Sequence, residues 1–330
     1  MPFALTLALL LPLQPDLPLK AVKDKTAVTF AVGGQVVTRY VYAGDAPAPR
    51  GTATVPLAKP YFYPLVAPNG VNLTRGWPID PAAPKGTTDH VHQKSAWFCH
   101  GDVIPDGITL KTHSADKHVK GVDFWSEAAG HGRIVCVKCG DPKPTPDGVS
   151  VETSNEWRTA DGVVILNEDR TITLRTSPGR HTVTVTSSLT TPCGVTFGDT
   201  KEGSFGVRIR DDFALNAKGS TGVVTSSDGT VVKAPAKDNL PVWGKLAAWN
   251  DYSGTAGGKT AGLTIRESPD NPIKAAWHTR AYGLMAANPF ARAGSGFPAR
   301  KGQTDLVKLA KGATLALSYA IDLHDGPAGK

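Results

Sequence analysis

The sequence has no run of five or six basic residues, and no basic stretch interleaved with aromatics at a nucleic-acid module's spacing. Its formal net charge of +7 comes from Lys+Arg 36 against Asp+Glu 29 and is spread along the chain. That pattern reads as a solvated basic surface and argues against nucleic acid as a partner. Past the N-terminus, no apolar run is long enough to cross a bilayer. Cysteine is scarce: Cys99, Cys136, Cys139 and Cys193. The "CVKC" at 136–139 has zinc-ligand or redox spacing, but no second CxxC or paired-histidine motif accompanies it. It lies in "GRIVCVKCGD" (132–141), whose alternation reads as a strand that would send Cys136 and Cys139 to opposite faces, as packing thiols. Helical periodicity is missing as well. No stretch of about 12 residues keeps a 3.6-residue pattern, and "LMAANPFARAG" (284–294) offers one helical turn at most.

Turns and alternation are abundant. Gly 35 and Pro 26 together make about one residue in five, which favours short strands over long helices. "TAVTFAVGGQVVTRYVY" (26–42) alternates on both sides of Gly33-Gly34, a hairpin signal. "RTITLRTSPGRHTVTVTSSL" (170–189) reads as two Thr/Val/Ile-rich strands around a four-residue turn, and "GVVTSSDGTVVKA" (222–234) turns at Asp228-Gly229. "ATLALSYAIDLHD" (313–325) reads as a final strand. Sequential hairpins imply antiparallel pairing, since parallel strands need long crossovers. The expectation is an all-β chain, a large antiparallel β-sandwich forming one domain over 25–330. Residues 1–20 are expected to be a signal peptide or a disordered N-terminus. Their apolar core suits export to the periplasm or exterior, but they lack a basic n-region and a clear cleavage site, so a cytoplasmic location stays open.

The chemistry-bearing residues cluster. In "DHVHQK" (89–94), His90, His92 and Lys94 share parity and in a strand would line one face. His-x-His can give a metal two imidazoles, with His100, Asp102 or Asp123 as third ligand, but the glutamate a cupin-type site needs is replaced by Ser95-Ala96-Trp97. It can equally place a general acid beside an anchoring donor. Farther on, "GVDFW" (121–125) sets Asp123 beside aromatics, and "DTKEGSFGVRIRDD" (199–212) supplies Lys201-Glu202 before a glycine turn. "AAWHTRAYGLMAANPF" (275–290) sets His278 and Arg280 two apart near Tyr282 and Asn288, and "RGWP" (75–78) pairs Arg75 with Trp77. Each motif alone fits a solvated hairpin or a core aromatic. Together they resemble the parts of a carbohydrate site, where aromatic faces meet sugar C–H groups and Arg, Asp and His bind hydroxyls.

Six stretches occur in the order of one known family. They are "KPYFYPLVAPNGVNLTRGWP" (59–78), "DHVHQKSAWFCHGDV" (89–103), "GVDFW" (121–125), "DTKEGSFGVRI" (199–209), "DYSG" (251–254) and "SPDNPIKAAWHTRAYGLMAANPF" (268–290). Together, over about residues 25–325, they resemble the PmoA-like, or DUF6807, family. The usual family segment reads D-H-P-H-H-R-G-L-W-F-x-H-G-D-V. Here Val91 stands for the proline, Gln93 for the second adjacent histidine, Lys94 for the arginine and Ser95 for the glycine. The resemblance implies a β-supersandwich similar to the galactose mutarotase-like group, whose members bind sugars on a concave face and whose enzymes use a His/Glu or His/Asp pair. The oxygenase in the family's name fits poorly, since an oxygenase subunit of that type spans the membrane.

These readings lead to a carbohydrate-active protein working by proton transfer, as an epimerase, lyase or hydrolase. His92, Glu202, His278 and Asp123 are the candidate catalytic residues. Arg75, His90, Lys94, Trp97, His100, Asp102, Trp125, Arg280, Tyr282 and Asn288 are the candidate substrate-binding residues. His90, His92, His100 and His278 are expected around one open pocket. A non-catalytic glycan-binding protein, favoured by Gln93 and Lys94, is the alternative. Another is an enzyme holding a divalent metal through His90, His92 and His100; no cofactor is otherwise expected. The expected partner is a carbohydrate ligand, with no obligate protein partner.

Overall fold

The computed structural model describes residues 18–47, 54–84 and 86–329; the leader expected over 1–20 lies, up to residue 17, outside them. Within that expected leader a strand already begins, Leu19–Lys23. Strands are the main regular structure of the described residues, with three single turns of 3-10 helix, Asp211–Phe213, Ala293–Ser295 and Pro298–Arg300, as their only helical elements. Among them no helix is long and apolar enough to cross a membrane.

Two large sheets carry the fold, and every strand pair in them is antiparallel. One has eight strands, in the order Leu19–Lys23, Ala27–Val32, Gln35–Val41, Tyr61–Leu65, Ala96–His100, Gly203–Arg208, Leu284–Asn288 and Ala276–Thr279. The ten-stranded sheet is built around Gly148–Arg158, Val164–Ser177, Arg180–Thr190, Thr314–Asp325 and Lys259–Glu267. The hairpins read from alternation are present. Gly33 and Gly34 take φ of 58° and 84°, as a two-residue turn that follows the strand twist requires. The 170–189 hairpin is tighter than expected: Ser177 pairs with Arg180, leaving Pro178-Gly179 as a two-residue turn.

The sheets pack face to face through aromatics. Phe98 meets Trp157 at 5.9 Å and Tyr319 at 6.5 Å, and Phe205 stacks on Tyr319 at 5.1 Å. Side chains alternate along a strand, so Trp97, next to Phe98, faces away from this interior. The chain is therefore an all-β, large antiparallel β-sandwich.

Three local expectations need correction. Asp89–Ser95 is irregular and the strand starts only at Ala96, with His90 and Ser95 at φ of 46° and 54°. Strand parity therefore does not place His90, His92 and Lys94. In Arg133–Cys139, Cys136 lies opposite Asn155 and Lys138 opposite Ser154, so Val137 is an extra residue. That bulge puts Cys136 and Cys139, opposite Asn155 and Thr153, on one face. Both thiols are free. Finally, Leu284–Asn288 is a strand, and the helical turn comes later, at Ala293–Ser295.

Candidate functional site

The outward face of the eight-stranded sheet builds the site. Trp97, Gly206, Ala286 and His278 lie in one register row across four strands. The two small residues leave room between a tryptophan and a histidine. At Gly206 a Cβ would come within 2.8 Å of Trp97 Cζ2 and 3.2 Å of Trp125 Cη2, so glycine is what lets the tryptophans lie across the strand. Trp97 and Trp125 meet edge to face at 5.1 Å and are fully buried. They form the floor and are closed to direct stacking on a ligand.

Loops bring the polar groups over this floor. His92 packs against Trp125 at 6.4 Å, and His90 meets His92 edge-on at 5.7 Å. His90 also stacks on Tyr282, 5.1 Å between ring centres and nearly parallel. The Arg208 guanidinium lies over the same tyrosine at 4.6 Å. Asp89 fixes the other coordinate of His90: its Oδ2 lies 2.9 Å from His90 Nδ1. Its Oδ1 accepts from Arg75 at 2.6 Å and from Arg208 at 3.0 Å. Burial works against ionisation of Asp89, but His90, Arg208 and Arg75 outweigh it and hold the carboxyl well below the usual range. An ionised carboxylate only accepts, so Nδ1 of His90 carries the proton and Nε2 is left as the basic nitrogen. The ring is thus held by a carboxylate at one edge and an aromatic face beneath. Arg208 also donates to Gln93 Oε1 at 2.8 Å, so the glutamine that replaces a family histidine serves as an acceptor.

Beneath His92 lies a sealed ionic cluster. Glu127 receives Lys59 on one oxygen, at 2.7 Å, and Lys94 on the other. All three side chains are at least nine-tenths buried. Burial pushes the Glu127 carboxyl up, but Lys59 and Lys94 together prevail and hold it at about 2. Lys94 is therefore committed to Glu127 rather than offered to a ligand. Burial, then the charge of Lys59, pulls His92 down to about 3, so its imidazole is neutral at neutral pH.

Glu202 stands just before the Gly203–Arg208 strand, and its carbonyl accepts from Gly101 N at 2.7 Å. A Cβ at residue 101 would lie 2.9 Å from that of Glu202, so glycine there permits the close approach. The Glu202 side chain is half-buried, and among the described residues its carboxyl has no hydrogen-bond or ion-pair partner. Burial raises its pKa, and Lys201, His90 and Arg280 only partly offset this. His278 is buried. Desolvation and Arg280 pull it down to about 3, and its Nδ1 has no hydrogen-bond partner. Arg280 acts electrostatically on both Glu202 and His278, and its guanidinium lies 5.9 Å from the Tyr282 ring on which His90 stacks. Arg280 itself reaches Asp238 at 2.9 Å.

The structure thus gathers His90, His92, Glu202, Arg280 and Tyr282 around Trp97 and Trp125, with His278 buried in the floor row and Arg75 and Lys94 sealed behind. Four candidates do other work. His100 shares the parity of Phe98 and points inward, packed on Phe290 at 5.0 Å and Phe197 at 5.9 Å, with Nε2 2.8 Å from Gly198 O. It does not line the site with the other three histidines. Asp102 braces a loop by accepting from Gly121 N at 2.7 Å and Lys120 N at 3.2 Å. Asp123 caps the next turn, accepting from Trp125 N at 2.7 Å, Ser126 N at 3.0 Å and the Ser126 hydroxyl. Asn288 accepts from Phe290 N and Ala291 N at 3.0 Å and donates to Thr200 O at 2.9 Å, which steadies the segment before Glu202. Among the described residues no group of three or more His, Cys, Asp or Glu is arranged to hold a metal ion.

Asp89, Arg208, Lys59 and Glu127 were not picked out from sequence. For Arg208 a signal existed: it shares strand parity with Gly206 and so with the floor. Glu127, at φ of 53° in an irregular loop, offered none.

The model of a family of unknown function, DUF6807, matches residues 27–330. A solved galactose mutarotase-like protein from Clostridium acetobutylicum covers 95% of this chain and 99% of its own, at 11% identity and a TM-score of 0.41. One from Lactobacillus casei covers 93% and 100%, at 12% identity and a TM-score of 0.35. At these values neither likeness bears on what the chain does. No curated protein matches it.

Proposed function

The chain belongs to the DUF6807 family of unknown function, and from its own side chains we propose that it acts on a carbohydrate by general acid–base chemistry between Glu202 and His90. The carrying observation is the Glu202 carboxyl: half-buried, without a protein partner among the described residues, and raised in pKa beside a histidine whose orientation is pinned. A buried polar group without a partner costs stability unless a ligand or solvent satisfies it. Displaced titratable groups of this kind concentrate at reactive sites.

In this reading Glu202, held toward its protonated form, donates a proton to a sugar oxygen. His90 Nε2 removes one from the other side, and Asp89 stabilises the imidazolium that forms. Neutral His92 acts as a hydrogen-bond partner for a hydroxyl, a role its low pKa favours over that of a cation. The buried arginines act through Asp89 rather than on the ligand. Epimerisation, elimination and hydrolysis all use such a pair, and the reaction among them is read from the product.

The test is a panel of monosaccharides, sugar acids and disaccharides followed by proton NMR for turnover and by calorimetry for binding. A converted sugar whose rate falls about 10²–10⁴-fold in Glu202→Gln supports the proposal. Binding without turnover places the chain among glycan-binding proteins. Turnover lost together with a stoichiometric metal in His92→Ala supports a metal-dependent route.

A further inference from the structure

The acid–base centre leaves a neighbouring cavity unused. It measures about 430 Å³ and is lined by Tyr63, Asn72, Asp80, Arg210, Asp211 and Asp212, together with Arg75 and small residues. That volume falls within the range of about 300–1,000 Å³ typical of ligand pockets. Two of its residues belong to the centre's own framework. Arg75 turns its guanidinium to Asp89, while Asp211 accepts from Thr87 N and Thr87 Oγ1, both at 2.8 Å, and lies 3.9 Å from Arg208. The Gly86–Asp89 segment therefore ties two residues of the cavity lining to the Asp89–His90 pair. It is held close by glycine, since a Cβ at Gly86 would come within 1.9 Å of Asp211 Oδ2. Gly76 has the same role, because a Cβ there would strike Ala83 at 2.2 Å and the Tyr63 hydroxyl at 2.9 Å.

We infer that this cavity is a second subsite, taking a neutral sugar unit joined to the one held at Glu202, so that the ligand is an oligosaccharide rather than a single ring. The inference rests on the carbohydrate reading above. Tyr63, Asn72 and the charged side chains supply hydrogen-bonding groups, and Ala82, Ala83 and Pro84 supply an apolar wall, the mixture a polyhydroxylated ring needs. The charges select against an acidic unit. Asp80, Asp211 and Asp212 face Arg75 and Arg210, and Arg75 is already committed to Asp89. Arg210 is paired with Asp212 and donates to Asn72 O at 2.8 Å.

Calorimetry with glucose, galactose and mannose, their linear trisaccharides, and trigalacturonic acid as the acidic comparator tests this. In the wild type one neutral trisaccharide should bind at least about tenfold tighter than its parent monosaccharide, the worth of one or two neutral hydrogen bonds. Ala82→Trp, which fills the cavity from an exposed position, should bring that ratio to about one. Asp212→Ala, at the exposed rim, gives a second reading if the tryptophan variant does not fold, and should lower the ratio severalfold. Equal binding of monosaccharide and trisaccharide by the wild type overturns the subsite alone. So does tighter binding of the acidic trimer, or a ratio that neither variant moves. Failure of every sugar to bind overturns the carbohydrate reading and the subsite with it.

Discussion

Two buried ionic clusters sit on opposite sides of the eight-stranded sheet, and they are finished differently. Inside the sandwich, Arg170 donates to Glu168 through Nε at 2.8 Å and Nη2 at 3.0 Å, and to Tyr40 through Nη1 at 3.0 Å. Glu168 also accepts from Trp157 at 2.9 Å and Ser187 at 2.6 Å. Every polar atom of that pair has a partner. On the outward face, the Nε atoms of Arg75, Arg208 and Arg280, Nδ1 of His278 and the indole nitrogens of Trp97 and Trp125 are buried without one. A closed network holds two sheets in register and asks nothing of a ligand. An open one costs stability that a ligand or solvent can return. The closed cluster is structure, and the open one is where we propose the chemistry.

The comparison breaks most visibly at Glu202. Glu202→Gln should lower turnover about 10²–10⁴-fold while leaving the melting temperature unchanged or higher, since an unpaired, desolvated acid is removed. The reverse pattern belongs to Arg170. Arg170→Ala leaves Glu168 buried and unpaired and should cost about 3–5 kcal/mol in urea unfolding, with the folded fraction still binding sugar. Next comes Asp89→Asn, which takes the charge from His90 and from two buried arginines. Turnover should fall about tenfold to a hundredfold, with a larger change in kcat than in KM, because Asp89 positions the base rather than touching the ligand.

The acid limb of stability sharpens the contrast. His92, His100 and His278 are held at about 3, about 4 and about 3, against an ordinary value of 6.5. The unfolded chain takes up protons on them while the folded chain does not, so their contribution is complete above 6.5 and is lost as pH falls toward 3–4. Glu127, at about 2 against 4.5, loses its contribution in the same direction but lower, as pH falls from 4.5 toward 2. Glu202 runs the other way: its raised pKa favours the folded state at acid pH, and that contribution disappears as pH rises. Urea midpoints should therefore fall below pH 6.5, and His278→Asn should flatten that fall.

The fold was legible because alternation and turn chemistry agreed along 26–42, 170–189 and 222–234, and each hairpin is set by local residues. Of the proposed site, residue type pointed to His90, His92, Glu202, His278, Arg280 and Tyr282. Direction could not be read. His100 faces inward because the strand begins at Ala96, after a left-handed Ser95, and strand parity counted from His90 has no meaning across that turn. Asp123 looks catalytic and Asn288 substrate-binding by type, but their oxygens are spent on backbone amides that no spacing reveals. Asp89 is the converse: an ordinary loop aspartate until two distant arginines close on it.

The most direct test is the carboxyl resonance of Glu202, followed by carbon-detected NMR across pH in the free protein and with the saccharide panel. The account predicts a midpoint above the ordinary glutamate value of 4.5, and a further displacement when a sugar binds. An ordinary midpoint that no sugar moves would show that the open cluster on the outward face is not a working site.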